Sequence, residues 1–157
     1  MDQVFRYEIP VLHPILVHFP IVLVILATIF ALLWLLRNQV ESLLTSAWIQ
    51  LFALIMAISA YLTGEEMKER SEGVPIVDTL VELHEDAALV STWLVGFALV
   101  ALVSAIFFQR RDISTICAQP GSRLWIRVVV FLIVFLALVS IWWTAHIGGT
   151  MVWGTTR

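Results

Sequence analysis

Four histidines punctuate this chain, and each one borders a long apolar run. His13 and His18 open the first run, His84 precedes the third, and His146 closes the fourth. A chain that crosses a bilayer four times brings all of these points back to one side. Imidazole is costly in hydrocarbon, so ionisable groups at membrane depth are functional candidates by default. Imidazole is also the commonest side-chain metal ligand and a frequent axial ligand of haem iron. Four such groups converging on one layer point to a bound cofactor. His13, His18, His84 and His146 are its candidate ligands, and His18, His84 and His146 are the candidates for holding a metal directly.

The elements that must position these groups are membrane helices. The chain has 157 residues, of which 61% are hydrophobic and 13% charged, with a mean hydropathy of +0.96. Soluble domains are roughly 45–50% apolar and about 25% charged, so this is an integral membrane protein. Four stretches reach the roughly 20 residues that span a bilayer: about 15–36, 43–62, 87–108 and 124–145. Little is left for a soluble unit, and residues 1–157 read as a single membrane domain, an all-α bundle of four transmembrane helices. The first run is too long for the apolar core of a signal peptide and lacks a basic leader. Cys117 is the one cysteine, which excludes an internal disulfide, a haem c attachment motif and cysteine-built zinc or iron–sulfur sites.

Orientation follows Lys and Arg close to the membrane. Arg37, Arg110, Arg111, Arg123 and Arg127 mark one side, with Arg127 snorkelling to the inner membrane surface. Arg6, Lys68, Arg70 and Arg157 mark the other. The connection between the second and third runs is acidic, with Glu65, Glu66, Glu69, Glu72, Asp78, Glu82, Glu85 and Asp86. This pattern places both termini and all four histidines in a periplasm-like compartment. With a net charge of −3, the expected partners are membrane lipid and no nucleic acid; a homo- or hetero-oligomer is compatible with the sequence.

Local signals refine the helix ends. Thr79-x-x-Glu82 resembles a capping box, so the third helix is expected from about 80 to 108, with His84 on a small face shared with Ala87, Ala88 and Ser91. Pro14 suits a first helical position. Pro20 lacks the N–H that a helix interior needs and should break regular structure beside His18. His13 and His18 are about 140° apart on a straight helix, so one faces the bundle and the other does not. His18, the deeper of the two, is the expected ligand, with His84 or His146 opposite it; His13 is expected at the interface. Glu82, Glu85 and Asp86 are candidate partners of the His84 ring. Gly148 and Gly149 after His146 read as helix C-caps or as points of close approach. Trp142 and Trp143 read as an interfacial belt or as a wall for a flat cofactor. Leu12-His13 and Leu83-His84, with Gly64 and Gly148 closing the following helices, suggest two pseudo-repeated helical hairpins related by an axis along the membrane normal.

The strings Leu12-His13-Pro14, Val17-His18-Phe19-Pro20, Thr63-Gly64, Leu83-His84-x-x-Ala87 and His146-x-Gly148-Gly149 resemble a bacterial membrane family called domain of unknown function 2231. The likeness covers about residues 11–154. It implies a four-helix domain of the bacterial inner membrane, whose relatives are similar to small b-type cytochromes in carrying helix-borne histidines at one membrane face.

Three functional readings follow. The first is a haem b-binding electron carrier resembling a small cytochrome b, exchanging electrons with a quinol or a periplasmic carrier; any enzymatic role would be as such a redox component. Two facing imidazoles leave haem iron no open position, which suits electron transfer. The second is a non-haem copper or iron site completed by Glu82, Glu85 and Asp86. The third is a structural subunit or small transporter without a cofactor. The absence of charge near the bilayer midplane argues against a proton-coupled pump, and no nucleophile–base pair supports a hydrolase.

Overall fold

In the computed structural model, which describes residues 12–71, 75–112 and 122–153, the chain forms α1 (His13–Leu16), α2 (His18–Arg37), α3 (Val40–Ser71), α4 (Pro75–Asp112) and α5 (Ser122–Trp153). Four segments are long and apolar enough to cross a membrane: His13–Arg37, Val40–Glu65, Leu80–Gln109 and Leu124–Met151. The expected four-transmembrane-helix bundle is present. Each helix packs on its chain neighbours, and α5 closes the ring against α2.

α1 and α2 form one span with a local break. Pro14 lies in the first turn of α1, as expected. Pro20 offers no N–H to the Leu16 carbonyl, and the ladder is interrupted at Val17, whose backbone stays right-handed at φ −62°, ψ −25°. α2 ends at Asn38, which adopts φ 55° and donates its N–H to the Trp34 carbonyl at 2.8 Å. Asparagine tolerates this left-handed position, so two residues suffice to reverse the chain into α3.

The other ends differ from expectation. α4 already includes Pro75, so Thr79 lies inside it rather than capping it. α3 continues to Ser71 and α5 to Trp153, so Gly64, Gly148 and Gly149 do not end their helices. The reason is that apolar runs mark where helices meet hydrocarbon, whereas the helical ladder continues past that edge. The side chains of Glu66, Glu69, Asp78, Arg110, Arg111 and Arg123, and the whole of Glu72, Arg6 and Arg157, lie outside the described residues.

The bundle is packed by small residues. Ala27, Ala31, Ala47, Ala53, Ala57, Ala60, Ala98, Ala105 and Ala137 are buried, while Trp48, Phe52, Trp93, Phe97 and Phe135 face outward. Small buried positions let helix backbones approach where lipid removes any hydrophobic drive for helices to associate. The buried positions also repeat. On α1–α2 the inward row is 13, 17, 20, 24, 27, 31 and 34; shifting it by 71 residues gives 84, 88, 91, 95, 98, 102 and 105 on α4. On α3 the row 46, 50, 53, 57, 60 and 64 shifts by 84 residues to 130, 134, 137, 141, 144 and 148 on α5. Every member is buried or half-buried. The alternating three- and four-residue steps are those of knobs-into-holes packing. The two expected hairpins are therefore one inward pattern used twice.

Among the described residues at least one side-chain hydrogen bond crosses each of the four interfaces between long helices. Ser46 Oγ donates to the Ala27 carbonyl at 2.8 Å, and Gln50 Nε2 to the Val95 carbonyl at 3.1 Å. The hydroxyls of Ser91 and Thr144 meet at 2.8 Å, and Arg127 Nη1 donates to the Leu35 carbonyl at 2.9 Å. Such bonds average about 0.6 kcal/mol in membrane bundles. Ser46→Ala should therefore lower stability in detergent by about that amount without altering the fold, as read from thermal unfolding.

Candidate functional site

The inward rows of α1–α2 and α4 each end in a histidine. His13 and His84 stand at equivalent positions of the repeat and face each other, with ring centroids 6.5 Å apart and planes at 88°. Both rings are half-buried and line a cavity of about 270 Å³ at one end of the bundle.

Each ring lies against a glycine of the following helix. A Cβ on Gly64 would stand 3.2 Å from His13 Cε1, and one on Gly148 only 3.0 Å from His84 Cε1. These glycines are thus points of close approach rather than helix caps. Gly149 has nothing near its Cβ position, and it plays no such part.

The His13 ring is oriented from outside the cavity. Its Nδ1–H donates to the Ala60 carbonyl at 2.9 Å, with Thr63 Oγ1 at 3.3 Å. Thr63 in turn donates to the Ser59 and Ala60 carbonyls. Fixing Nδ1 on a carbonyl leaves Nε2 as the lone-pair nitrogen, an arrangement that orients metal-ligating histidines and raises their basicity. In the other half the repeat substitutes Thr144 for Ala60. Among the described residues the buried His84 Nδ1 has no hydrogen-bond partner.

The cavity walls are small or apolar: Val17, Pro20, Ile21, Ala57, Ala60, Ala88, Ser91 and Ile141. Tyr61, Glu65 and Glu85 add polar groups to the lining. Tyr61 and Glu65 were not legible as site residues. Their signal is spacing alone, since they flank Gly64 on the α3 face that turns toward the cavity.

The other two histidines lie elsewhere. His18 is exposed, and its Nδ1–H donates to the Pro14 carbonyl one turn back at 2.7 Å. The expectation that His18 is buried and His13 interfacial is thus reversed. Depth was the wrong criterion: the inward row through Pro20, Val24 and Ala27 extends back to 13, not to 18. His146 is exposed beside Trp143, with ring centroids 6.1 Å apart. Trp142 is 68% and Trp143 59% exposed, so they form an outward belt and not a cofactor wall. Neither His18 nor His146 lines the cavity, and neither stands opposite the other rings.

Glu82 and Asp86 are exposed, and of the three acids near His84 only Glu85 reaches the lining. Among the described residues no three His, Cys, Asp or Glu side chains converge as a metal cage. The mixed histidine–carboxylate cluster is therefore not assembled there.

No curated protein and no solved structure matches the chain. Residues 9–156 do match one family model. That span contains both histidine-headed rows and both facing glycines, and the chain belongs to the family described as predicted membrane protein, DUF2231.

Proposed function

We propose that this is a haem b-binding electron-transfer protein of the bacterial inner membrane, with His13 and His84 as the two axial ligands and the histidine end facing the periplasm. The observation that carries the reading is the facing pair itself. Two imidazoles on opposite sides of one metal ion hold their nitrogens about 4 Å apart, twice a metal–nitrogen bond of roughly 2 Å, so their ring centres lie about 6 Å apart. The 6.5 Å separation of His13 and His84 suits that requirement.

The donor set fits a macrocycle-borne iron. It offers two imidazole nitrogens facing one cavity, and a macrocycle brings its remaining ligands with it. The cavity of about 270 Å³ falls just below the roughly 300–1,000 Å³ range of small-molecule sites, so a haem held there would extend past the cavity mouth and leave no room for a second. When bound, haem supplies reversible one-electron chemistry.

The chain's own residues would do the rest. The Ala60 carbonyl holds the His13 tautomer. Gly64 and Gly148 admit the rings, while Ala57, Ala60 and Ala88 keep the slot narrow and apolar. A haem held by both imidazoles would favour electron transfer over oxygen chemistry. Glu65 and Glu85 lie on the lining and would accept the protons released by a quinol partner.

Protein purified from haem-replete cells should show a Soret and α-band pair in its reduced-minus-oxidised spectrum. A colourless protein contradicts the proposal. Orientation is tested separately with Cys117 removed. A cysteine at Gln39, between α2 and α3, should resist an impermeant thiol reagent added from the periplasm; rapid labelling contradicts a periplasmic histidine end.

A further inference from the structure

The end of the bundle opposite the histidines carries a second cavity, of about 40 Å³, lined by Trp34, Asn38, Ala105, Phe108, Gln109, Ile126 and Arg127. Three of these residues hold buried polar atoms with no hydrogen-bond partner: Trp34 Nε1, Gln109 Oε1 and Arg127 Nε. Trp34 is only 3% exposed. Buried polar atoms without partners are uncommon and costly. Three bordering one small cavity indicate a missing group.

The charge is as informative as the orphans. Arg127 occupies an inward position whose repeat counterpart on α3, 84 residues earlier, is the fully buried Leu43. It turns across to the Leu35 carbonyl instead of snorkelling outward. Among the described residues no carboxylate pairs with it. The cavity thus presents two N–H donors, one of them cationic, beside a side-chain amide. Amide oxygen and nitrogen positions interchange by rotation, so Gln109 can offer a third N–H. A lone water could accept from Trp34 and Arg127 and donate to Gln109 Oε1, but it would leave the guanidinium charge uncompensated. An oxyanion carries the acceptors and the charge together, and guanidinium is suited to phosphate.

We infer that this cavity binds one oxygen face of a phosphate group, held by Trp34 Nε1–H, Arg127 Nε–H and the Gln109 amide. A single guanidinium matches a single negative charge, as on a phosphodiester. The source is either a lipid headgroup at this membrane edge or free phosphate.

The test is thermal unfolding of the delipidated full chain in neutral detergent, with inorganic phosphate, phosphatidylglycerol or diacylglycerol added. Saturating phosphate ligand should raise the midpoint by about 2–4 °C. The rise should vanish in Trp34→Phe, which keeps most of the ring volume, and in Gln109→Leu. A rise with phosphate alone assigns free phosphate, a rise with phosphatidylglycerol alone assigns the lipid, and a rise with both assigns a phosphate site open to either source. No rise with either, an equal rise with diacylglycerol, or an undiminished rise in both variants overturns the inference. The haem spectrum is independent of all these outcomes.

Discussion

Replacing either His13 or His84 with alanine should abolish haem retention, whereas His18→Ala and His146→Ala should leave it nearly intact. The contrast follows from placement. His13 and His84 face one another across the cavity, while the exposed His18 ring donates to its own helix and His146 leans on Trp143. Loss of an outer partner of a metal ligand costs about 10–100-fold in affinity, and loss of the ligand itself should cost more. Haem content per chain, measured after purification, reads this directly. Retention in His84→Ala together with loss in His18→Ala would reverse the assignment. Thr63→Val supplies a graded control: it removes the hydroxyl 3.3 Å from His13 Nδ1 but keeps the Ala60 bond, so haem retention should fall only slightly.

The second large effect concerns the glycines. Gly148→Ala would set a methyl carbon 3.0 Å from His84 Cε1, and Gly64→Ala one 3.2 Å from His13 Cε1. Both neighbours are rings held between helices, so the ring must turn or the helices must part. Each substitution should lower haem affinity at least about tenfold, a disturbance of ligand orientation of the size known for outer-shell changes, and Gly148→Ala should be the more severe. The opposite sign is expected at Gly96 and Gly149, the other helical glycines among the described residues. A Cβ on Gly149 meets nothing within 4 Å, and one on Gly96 meets only Leu54 Cδ1 at 3.8 Å. Alanine at either position should stabilise the protein by up to about 1 kcal/mol, because glycine is the poorer helix former. Midpoints of thermal unfolding and haem content, measured on the four variants together, separate these cases.

These contrasts show which features the residues alone made legible. Four spans and two related hairpins follow from apolar runs and from the Leu-His and Gly echoes. The general place of the site follows too, because every histidine borders a run. The facing histidine pair did not follow. His13 and His18 differ by about 140° around the helix, and only the burial of Pro20, Val24 and Ala27 shows which of them continues the inward row. Gly64 and Gly148 sit where apolar runs end, and glycine ends helices often enough to hide that both are interior and pressed by a ring. Arg127 lies near a helix start, where snorkelling is the ordinary outcome; its bond to the Leu35 carbonyl depends on a neighbouring helix that no local pattern encodes. Glu82 and Asp86 read as neighbours of His84, yet their helical positions turn them outward.

Electron paramagnetic resonance of the oxidised, haem-loaded protein tests the central claim most directly, because it reports the iron's axial ligands. The account predicts a single low-spin ferric species of bis-imidazole type, one per chain. It should persist in the His18→Ala, His146→Ala double variant and be lost in His13→Ala. A high-spin iron in the wild type, or a low-spin signal that survives loss of His13, would contradict it.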